Sequence, residues 1–380
     1  MTDLRKTAAI VGVDESDEIG KVPDKSNLQH HAEAAHNALA DAGLSLKDVD
    51  GLFTAGTSTL QLGEYLGVKP SFVDTTAVGG SSFIIHIAHA IAAIDAGYCD
   101  VALVTHGEAG RSMRSRPGGN ASDPDPQYQT PYGFIGQPVA YSMAARRYMH
   151  MYGEDKTRQG MAEIAVATRK WALKHPKSYM KDEMSFDDYH NSRWISWPFH
   201  LLDCCLVTDA GGAFVITSAE RAKDTAKKPV YILGAAEGQT HGMISQMPDL
   251  TRTNAVNSGP KAMEMAGITH SDIDLAMIYD SFTYTVMATL ESLGFCGPGE
   301  AADFVANQRT APGGDFAMNT NGGGLSHTHS GMYGMFLILE AVRQLRGECG
   351  DRQIKDHNIA LVNGTGGSLS STGTTVLAVD

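Results

Sequence analysis

The chain has 380 residues, 43 acidic against 30 basic side chains and a net charge of −13, a balance that argues against a nucleic-acid binder, which would show a basic face. Hydrophobic residues make up 42% and charged residues 19%, enough apolar material for a large core and too little charge for disorder, so two domains or one fused pair are expected. Five cysteines, Cys99, Cys204, Cys205, Cys296 and Cys349, are odd in number and lack a C-x-x-C spacing, so neither a disulfide framework nor a metal site is expected.

Thr7–Val13 is an apolar run that predicts a strand. A helical pattern covers Leu28–Ala42, and Gly51–Ala55 predicts a second strand. Residues 82–97 are almost wholly apolar and rich in small side chains, the pattern of a helix buried on all sides. That segment is too short, and too interrupted by His86 and His89, to span a membrane. Val101–His106 predicts another strand. From about 108 to 199 the alternation stops, and Arg, Pro, Gly, Tyr and Met become frequent. This stretch reads as a long insertion over the active face. Beyond it, Val230–Ala235 predicts a strand, Pro260–Ala266 a helix, Leu275–Tyr279 a strand and Ile359–Asn363 another. No apolar signal region follows Met1 and no run of eighteen apolar residues occurs, so the cytoplasm is the expected location.

The order of elements repeats. Ala42-Gly43-Leu44-Ser45-Leu46-Lys47-Asp48-Val49-Asp50 returns as Ala266-Gly267-Ile268-Thr269-His270-Ser271-Asp272-Ile273-Asp274. Each copy follows a helix, places glycine where a C-cap needs a left-handed residue, and precedes an apolar strand. Strands alternating with helices in two copies predict an α/β fold made of two halves, 1–225 and 226–380, with the insertion in the first.

Five segments in order carry a family resemblance: Val78-Gly79-Gly80-Ser81-Ser82-Phe83, Leu202–Gly211, Tyr279-Asp280-Ser281-Phe282, Gly322–Gly331 and Asn363-Gly364-Thr365-Gly366-Gly367. Together they resemble the thiolase superfamily, most closely the sterol-carrier-protein-type thiolases and the thiolase-like acyl-CoA aldolases. The resemblance implies a thiolase-like five-layer α/β/α/β/α sandwich and a homodimer. It also implies a small partner with a zinc ribbon and an OB fold, and coenzyme A as part of the substrate with no bound cofactor.

In the family, a cysteine at the start of the buried helix is acylated, its pKa lowered by the helix dipole. Counting back from Gly97, that position is Gly80 here, beside Ser81 and Ser82. The family's Asn-Glu-Ala-Phe loop reads Tyr279-Asp280-Ser281-Phe282, which places a phenol near the substrate oxygen, as in the steroid side-chain aldolases of this superfamily. The family histidine corresponds to His329, with His327 as a second candidate and Tyr333 narrowing the pocket. In those aldolases the histidine's loop carries a tyrosine, so this chain departs from both patterns. A second family cysteine corresponds to Asn363, which can polarise a carbonyl but cannot transfer a proton. Backbone amides of Gly80 and Thr365 remain as oxyanion donors. Ser81, Phe282 and Tyr333 are the expected substrate contacts, and Asp280 an orienting group or helix cap.

The implied activity is formation or cleavage of a carbon–carbon bond beta to a CoA thioester. Thiolase or acyltransferase chemistry would need a relocated nucleophile, for which Cys205 and, less directly, Cys204 are the candidates. Retro-aldol cleavage of a β-hydroxyacyl-CoA needs no acyl-enzyme and suits the loss of both cysteines. Direct attack by CoA on a β-keto thioester would also dispense with an acyl-enzyme, and a non-catalytic subunit that binds acyl-CoA would need no catalytic group at all. Arg111, Arg114, Arg116, Arg146, Arg147, Arg169 and Lys170 are the cations available in the insertion for CoA phosphates. Its Tyr128, Tyr132, Phe134, Tyr141, Met143, Tyr148, Met149 and Met151 suggest a bulky apolar acyl group.

Overall fold

A computed structural model describes residues 4–113 and 123–379. In the first half, β1 (Ala8–Glu15), α1 (Asn27–Ala42), β2 (Gly51–Phe53), α2 (Thr59–Leu66), β3 (Phe72–Asp74), α3 (Ser82–Asp95) and β4 (Val101–Ala109) alternate. The insertion contributes α4 (Pro124–Tyr128), α5 (Gln137–Tyr152), α6 (Glu154–Ala172), α7 (Phe186–Asn191) and a small hairpin of β5 (Trp194–Ser196) and β6 (Phe199–His200). After it comes β7 (Asp209–Ser218). The second half comprises β8 (Val230–Gln239), α8 (Ala255–Ala266), β9 (Leu275–Ile278), α9 (Thr283–Leu293), α10 (Ala301–Val305), β10 (Ala317–Met318), α11 (Gly334–Arg346), β11 (Ile359–Gly366) and β12 (Ser371–Ala378).

The strand orders of the halves match. One runs β3-β2-β4-β7-β1 and the other β10-β9-β11-β12-β8. In both, the first three strands are parallel to one another and the remaining pairings are antiparallel. The half-sheets meet where Ala9 and Ile10 pair Tyr231 and Val230. The 225/226 division lies in the β7–β8 connection.

The repeated nonapeptide has the same structural work in each half. Gly43 and Gly267 close α1 and α8 at φ 72° and 69°, where a side chain would be strained. Ser45 with Asp48, and Thr269 with Asp272, then form matching capped turns. Asp50 accepts from the amides of Asp100 and Val101 and so fixes the start of β4. Asp274 accepts from Asn358 and Ile359 and fixes the start of β11.

Helices α3 and α11 touch each other and the strands of both half-sheets, while α1 and α8 cover the outer faces. The result is the five-layer α/β/α/β/α arrangement. Phe83, Ile84, Ile85, Ile87 and Ile91 of α3 are all at most 2% exposed, each stabilising the sandwich by about 1.5–3 kcal/mol. The polar interruptions find partners: His86 Nε2 bonds the Thr76 carbonyl at 3.1 Å, with Nδ1 left unbonded among the described residues, and His89 Nδ1 meets Asp74 at 2.5 Å. Among the described residues no helix is long and apolar enough to cross a membrane.

Several large side chains of the insertion turn inward. Tyr141, Tyr148 and Met149 are buried in a core shared with Phe282 and Tyr284. Tyr128 and Tyr132 point to solvent. Tyr148 and Met149 pack α5 into that core, while Tyr141 packs on the Phe282 ring and donates to the Gly367 carbonyl.

Candidate active site

A cavity of about 440 Å³ opens where α3 begins and where β9 and β11 end. Carboxyl ends of parallel strands are the common place for a ligand in open α/β sheets. Its walls come from Gly79 and Gly80, from Tyr279, Ser281 and Phe282, from His329 and Gly331, and from Thr365, Gly366 and Gly367. Cys204, Cys205, Leu201 and Val207 form another side, and the insertion supplies Gln137, Pro138 and Ile195.

At its floor the Tyr279 phenol lies 3.0 Å from His329 Nε2. The Tyr333 amide donates to the same phenol oxygen at 3.0 Å. The phenol donates to Nε2 in the tautomer that carries its proton on Nδ1, and accepts from it in the other. Gly80 lies directly against this ring, and a Cβ built on Gly80 would collide with the Tyr279 ring carbons and hydroxyl. The phenol therefore fills the volume that a side chain at position 80 would need.

Burial dominates the electrostatics. It pushes the Tyr279 phenol well above its ordinary pKa, with Cys205 adding to the effect and the Tyr333 amide opposing it. Burial also holds the His329 ring down to about 4, so the imidazole is neutral near pH 7 and can accept a proton. Asp280 is fully buried, and its carboxyl is pushed up to about 7 by desolvation, against the amides of Gly324 and Leu325 that lower it. Those amides bind its oxygens at 2.7 and 3.2 Å. Asp280 does not cap α9; it accepts from the leading amides of the short π-helical turn Gly323–His327 that leads to His329. Thr208 holds the histidine itself, its Oγ1 accepting from the His329 amide at 2.8 Å.

Both cavity thiols are held protonated. Desolvation raises Cys204 to about 12, and raises Cys205 further, with Cys204 and Asp280 adding to it. Reactive cysteines instead sit beside cations or helix N-termini. The Cys205 amide donates to the Ser281 carbonyl at 3.0 Å, so this segment lies as an extra extended strand along the loop after β9.

Of the residues singled out in the sequence, Gly80, Tyr279, Phe282, His329, Thr365 and Cys205 all line the cavity. Ser81 does not: it is buried with its hydroxyl on Ser371 at 3.0 Å. Ser82 ties the turn together, accepting from Val78 and donating to Gly79. Asn363 also misses the cavity. Its neighbour Gly364 packs on Ile84 and Ser81, so strand alternation turns Asn363 to the other face. There its Nδ2 donates to Thr374 at 2.8 Å, and its buried Oδ1 has no partner among the described residues. Tyr333 reaches the site through its amide, while its hydroxyl donates to Asn321 at 2.7 Å.

His327 points away as well, with Nδ1 near the Ser178 hydroxyl at 3.2 Å. Its Nε2 faces Glu15 at 3.7 Å, and the His175 ring stacks 4.3 Å away. Glu15, His175 and His327 converge closely enough to suggest a metal cluster. However, Arg343 lies 3.3 Å and Lys177 3.8 Å from the Glu15 carboxylate. Those cations already neutralise it, and a buried dication would add charge with nothing to balance it. The cluster reads as a closed ionic network.

Among the candidate cations, Arg169 is buried, donating to the Ser326 hydroxyl and the Asp182 carbonyl. Arg146 lies over Trp197 and Arg111 over Tyr179. Arg114 and Arg116 lie outside the described residues. One residue escaped the sequence reading: His106, within β4, whose Nε2 donates to the Ser330 carbonyl at 2.6 Å. It braces the loop that carries His329. A histidine following the apolar start of a strand was the available signal.

Two duplicated halves, a buried helix opening on the cavity and a histidine loop closing it define a thiolase-like fold. Residues 236–379 match the family model for the "Thiolase C-terminal domain-like" region. The chain is 36% identical to the 17-hydroxy-3-oxo-4-pregnene-20-carboxyl-CoA lyase of Mycobacterium tuberculosis, covering 96% of this chain and 97% of that one. It is 35% identical, with the same coverage, to the steroid side-chain-cleaving aldolase of Thermomonospora curvata. Among solved structures, the Ltp2-ChsH2(DUF35) aldolase superposes with a TM-score of 0.90 at 34% identity, over 99% of this chain and 98% of that one. The chain belongs to the thiolase superfamily, in its branch of thiolase-like acyl-CoA aldolases.

Proposed function

We propose that this protein is a carbon–carbon lyase that cleaves a β-hydroxyacyl-CoA by a retro-aldol reaction. The carrying observation is the Tyr279 phenol standing over Gly80, in the volume a nucleophilic side chain would occupy, and bonded to a neutral His329. In the reaction the β-hydroxyl of the substrate gives its proton to the Tyr279 oxygen as the phenol passes its own to His329 Nε2. The Cα–Cβ bond breaks, Cβ becomes a carbonyl, and the electron pair moves into the thioester as an enolate. The proton returns from His329 through Tyr279 to Cα, releasing a shortened acyl-CoA. No free phenolate forms, which fits the raised phenol pKa. The Gly80 amide, at the start of a helix whose leading N–H groups have no intrahelical acceptor, is the proposed donor to the enolate oxygen. Thr365 contributes from the opposite wall.

The proposed substrate carries a bulky apolar acyl group, as the names of the relatives suggest and as Pro138, Ile195, Leu201, Val207 and Phe282 on the walls would favour. CoA enters as part of the substrate and no bound cofactor is proposed. The proposed assembly is a homodimer joined at the exposed edge of β3, where Val73, Tyr98 and Leu60 are 48%, 63% and 84% exposed. A small zinc-ribbon OB-fold partner is proposed on the strength of the relative whose structure pairs two components. The proposed location is the cytoplasm.

The test is mass spectrometry of products from a panel of β-hydroxy- and β-ketoacyl-CoAs, with and without free CoA. Cleavage of a β-hydroxyacyl-CoA to a carbonyl compound and a shorter acyl-CoA, independent of added CoA, is expected. CoA-dependent splitting of a β-keto substrate into two acyl-CoAs would overturn the reading and favour thiolysis. Cys205→Ser should retain cleavage within about threefold, since its thiol takes no part; a loss of the 10²–10⁴-fold size usual for a catalytic group would return it to the mechanism.

The pH profile follows from His329. Its ring accepts a proton only while neutral, and burial keeps it neutral down to about 4. Cleavage should therefore show no histidine limb near the ordinary value of about 6.5, the His329 limb lying toward pH 4. A limb near neutrality that disappears in His329→Gln would contradict the assignment.

A further inference from the structure

The phenol oxygen of Tyr279 takes both its partners from one short segment: His329 Nε2 and the Tyr333 amide, each at 3.0 Å. Between those two residues the chain makes a tight turn. The Met332 amide donates to the Ser330 carbonyl at 2.9 Å, and Gly331 stands between them at φ 76°. A bond from residue i+2 back to residue i around a positive central φ is a γ-turn of the rarer, strained kind. Such a conformation persists where its surroundings over-determine it.

Strand β4, from the other half of the fold, supplies those surroundings. His106 and Glu108 are two residues apart on it and project from the same face. His106 Nε2 lies 2.6 Å from the Ser330 carbonyl oxygen and 3.3 Å from the Ser330 hydroxyl. A carbonyl only accepts, so the proton of this imidazole sits on Nε2. The ring is buried against Phe83 of α3, with centroids 5.1 Å apart. Burial also keeps it neutral down to about 4, so its tautomer is unchanged across the neutral range. Glu108 closes the turn from beside it, its carboxyl so near Gly331 that a Cβ there would collide. The Ser330 carbonyl thus accepts from two donors, one within the turn and one from β4.

We propose that His106 is a positioning residue of the cleavage reaction: by holding the Ser330 carbonyl it fixes the γ-turn that brings the His329 imidazole and the Tyr333 amide onto the same phenol oxygen. Its effect on rate rests on the retro-aldol reading, whereas its effect on the geometry does not. Tyr279, His329 and Tyr333 all lie in the second half of the chain, so the proposal makes a strand of the first half a working part of their site. It also sets a chemical requirement at position 106, a donor at the far end of the ring and none at the near nitrogen.

The test separates those two ring positions. The side-chain nitrogen of glutamine stands as many bonds from Cα as histidine Nε2 does, and that of asparagine as many as Nδ1. His106→Asn is expected to lower kcat by about 10²-fold, the loss that a misplacement of about 1 Å brings, with KM within about twofold. His106→Gln should recover most of that loss. His106→Leu keeps apolar bulk against Phe83 without any donor; it should lose as much as His106→Asn, and it decides the matter if His106→Asn folds poorly. A second readout needs no substrate. In protein labelled with ¹⁵N-histidine, the His329 ring resonances report its bond to Tyr279. They should move in His106→Asn and His106→Leu as they move in Tyr279→Phe, and return in His106→Gln. Equal losses in the glutamine and asparagine variants, a rise in KM in place of the fall in kcat, or His329 resonances that stay put in His106→Leu would each overturn the proposal. If the parent protein cleaved no β-hydroxyacyl-CoA, the proposed function would fail by itself, and the resonances would still decide whether His106 places His329.

Discussion

Replacing Tyr279 by Phe is expected to lower kcat for carbon–carbon cleavage by about 10²–10⁴-fold, the range for losing a positioned general acid–base group. The ring stays, so the packing against Gly80 and Tyr333 is kept. What disappears is the oxygen that accepts from the Tyr333 amide and meets His329 Nε2. KM should move little, because the hydroxyl acts on the breaking bond more than on the bound thioester. His329→Gln should cost a similar factor, and the double variant little more than either single one, since the two side chains form one relay. Steady-state kinetics of the three variants on the same β-hydroxyacyl-CoA decides this. Fully additive losses would mean that phenol and imidazole act separately, and an active Tyr279→Phe enzyme would remove the phenol from the chemistry.

Much of the fold could be read directly from the residues because duplication printed it twice. The glycine caps and the acidic turn residues Asp48 and Asp272 each announce a local hydrogen bond, and local bonds are what sequence patterns carry; the aspartates at 50 and 274 bond remote strands and show only because the repeat prints them twice. The buried helix announced itself by being apolar on every side. The site was legible only as a set of loops. That Gly80 and Tyr279 share one volume is a contact between remote residues, set by how the turn before α3 packs on β11 beside β9, and no spacing encodes it. Asn363 illustrates the same limit: its alignment with a family cysteine placed it in the right strand, but side-chain alternation turned it to the other face. The aromatic residues of α5 were ambiguous because a helix packed on α9 and a substrate-lined wall have the same composition. His106 went unread because its role depends on a carbonyl more than two hundred residues away.

The Gly80–Tyr279 contact gives the other large expectation. Gly80→Ala should destabilise the protein by about 1–3 kcal/mol, the usual effect of adding a methyl group to a filled interior. It should also reduce cleavage sharply, because the methyl displaces the phenol from His329. In a Tyr279→Ala background the ring is gone and the added methyl group has room. The stability penalty of Gly80→Ala should then nearly vanish, giving a coupling within the range of about 0.5–3 kcal/mol found for residues in contact. Denaturant unfolding of the four proteins measures this directly. An equal penalty in both backgrounds would mean that the methyl group strains the helix start itself. A large coupling would tie the absence of a nucleophile at position 80 to the presence of a phenol at 279: with Tyr279 in place no side chain fits at the start of α3, so the exchange of thiolase chemistry for aldol chemistry requires both positions to change together.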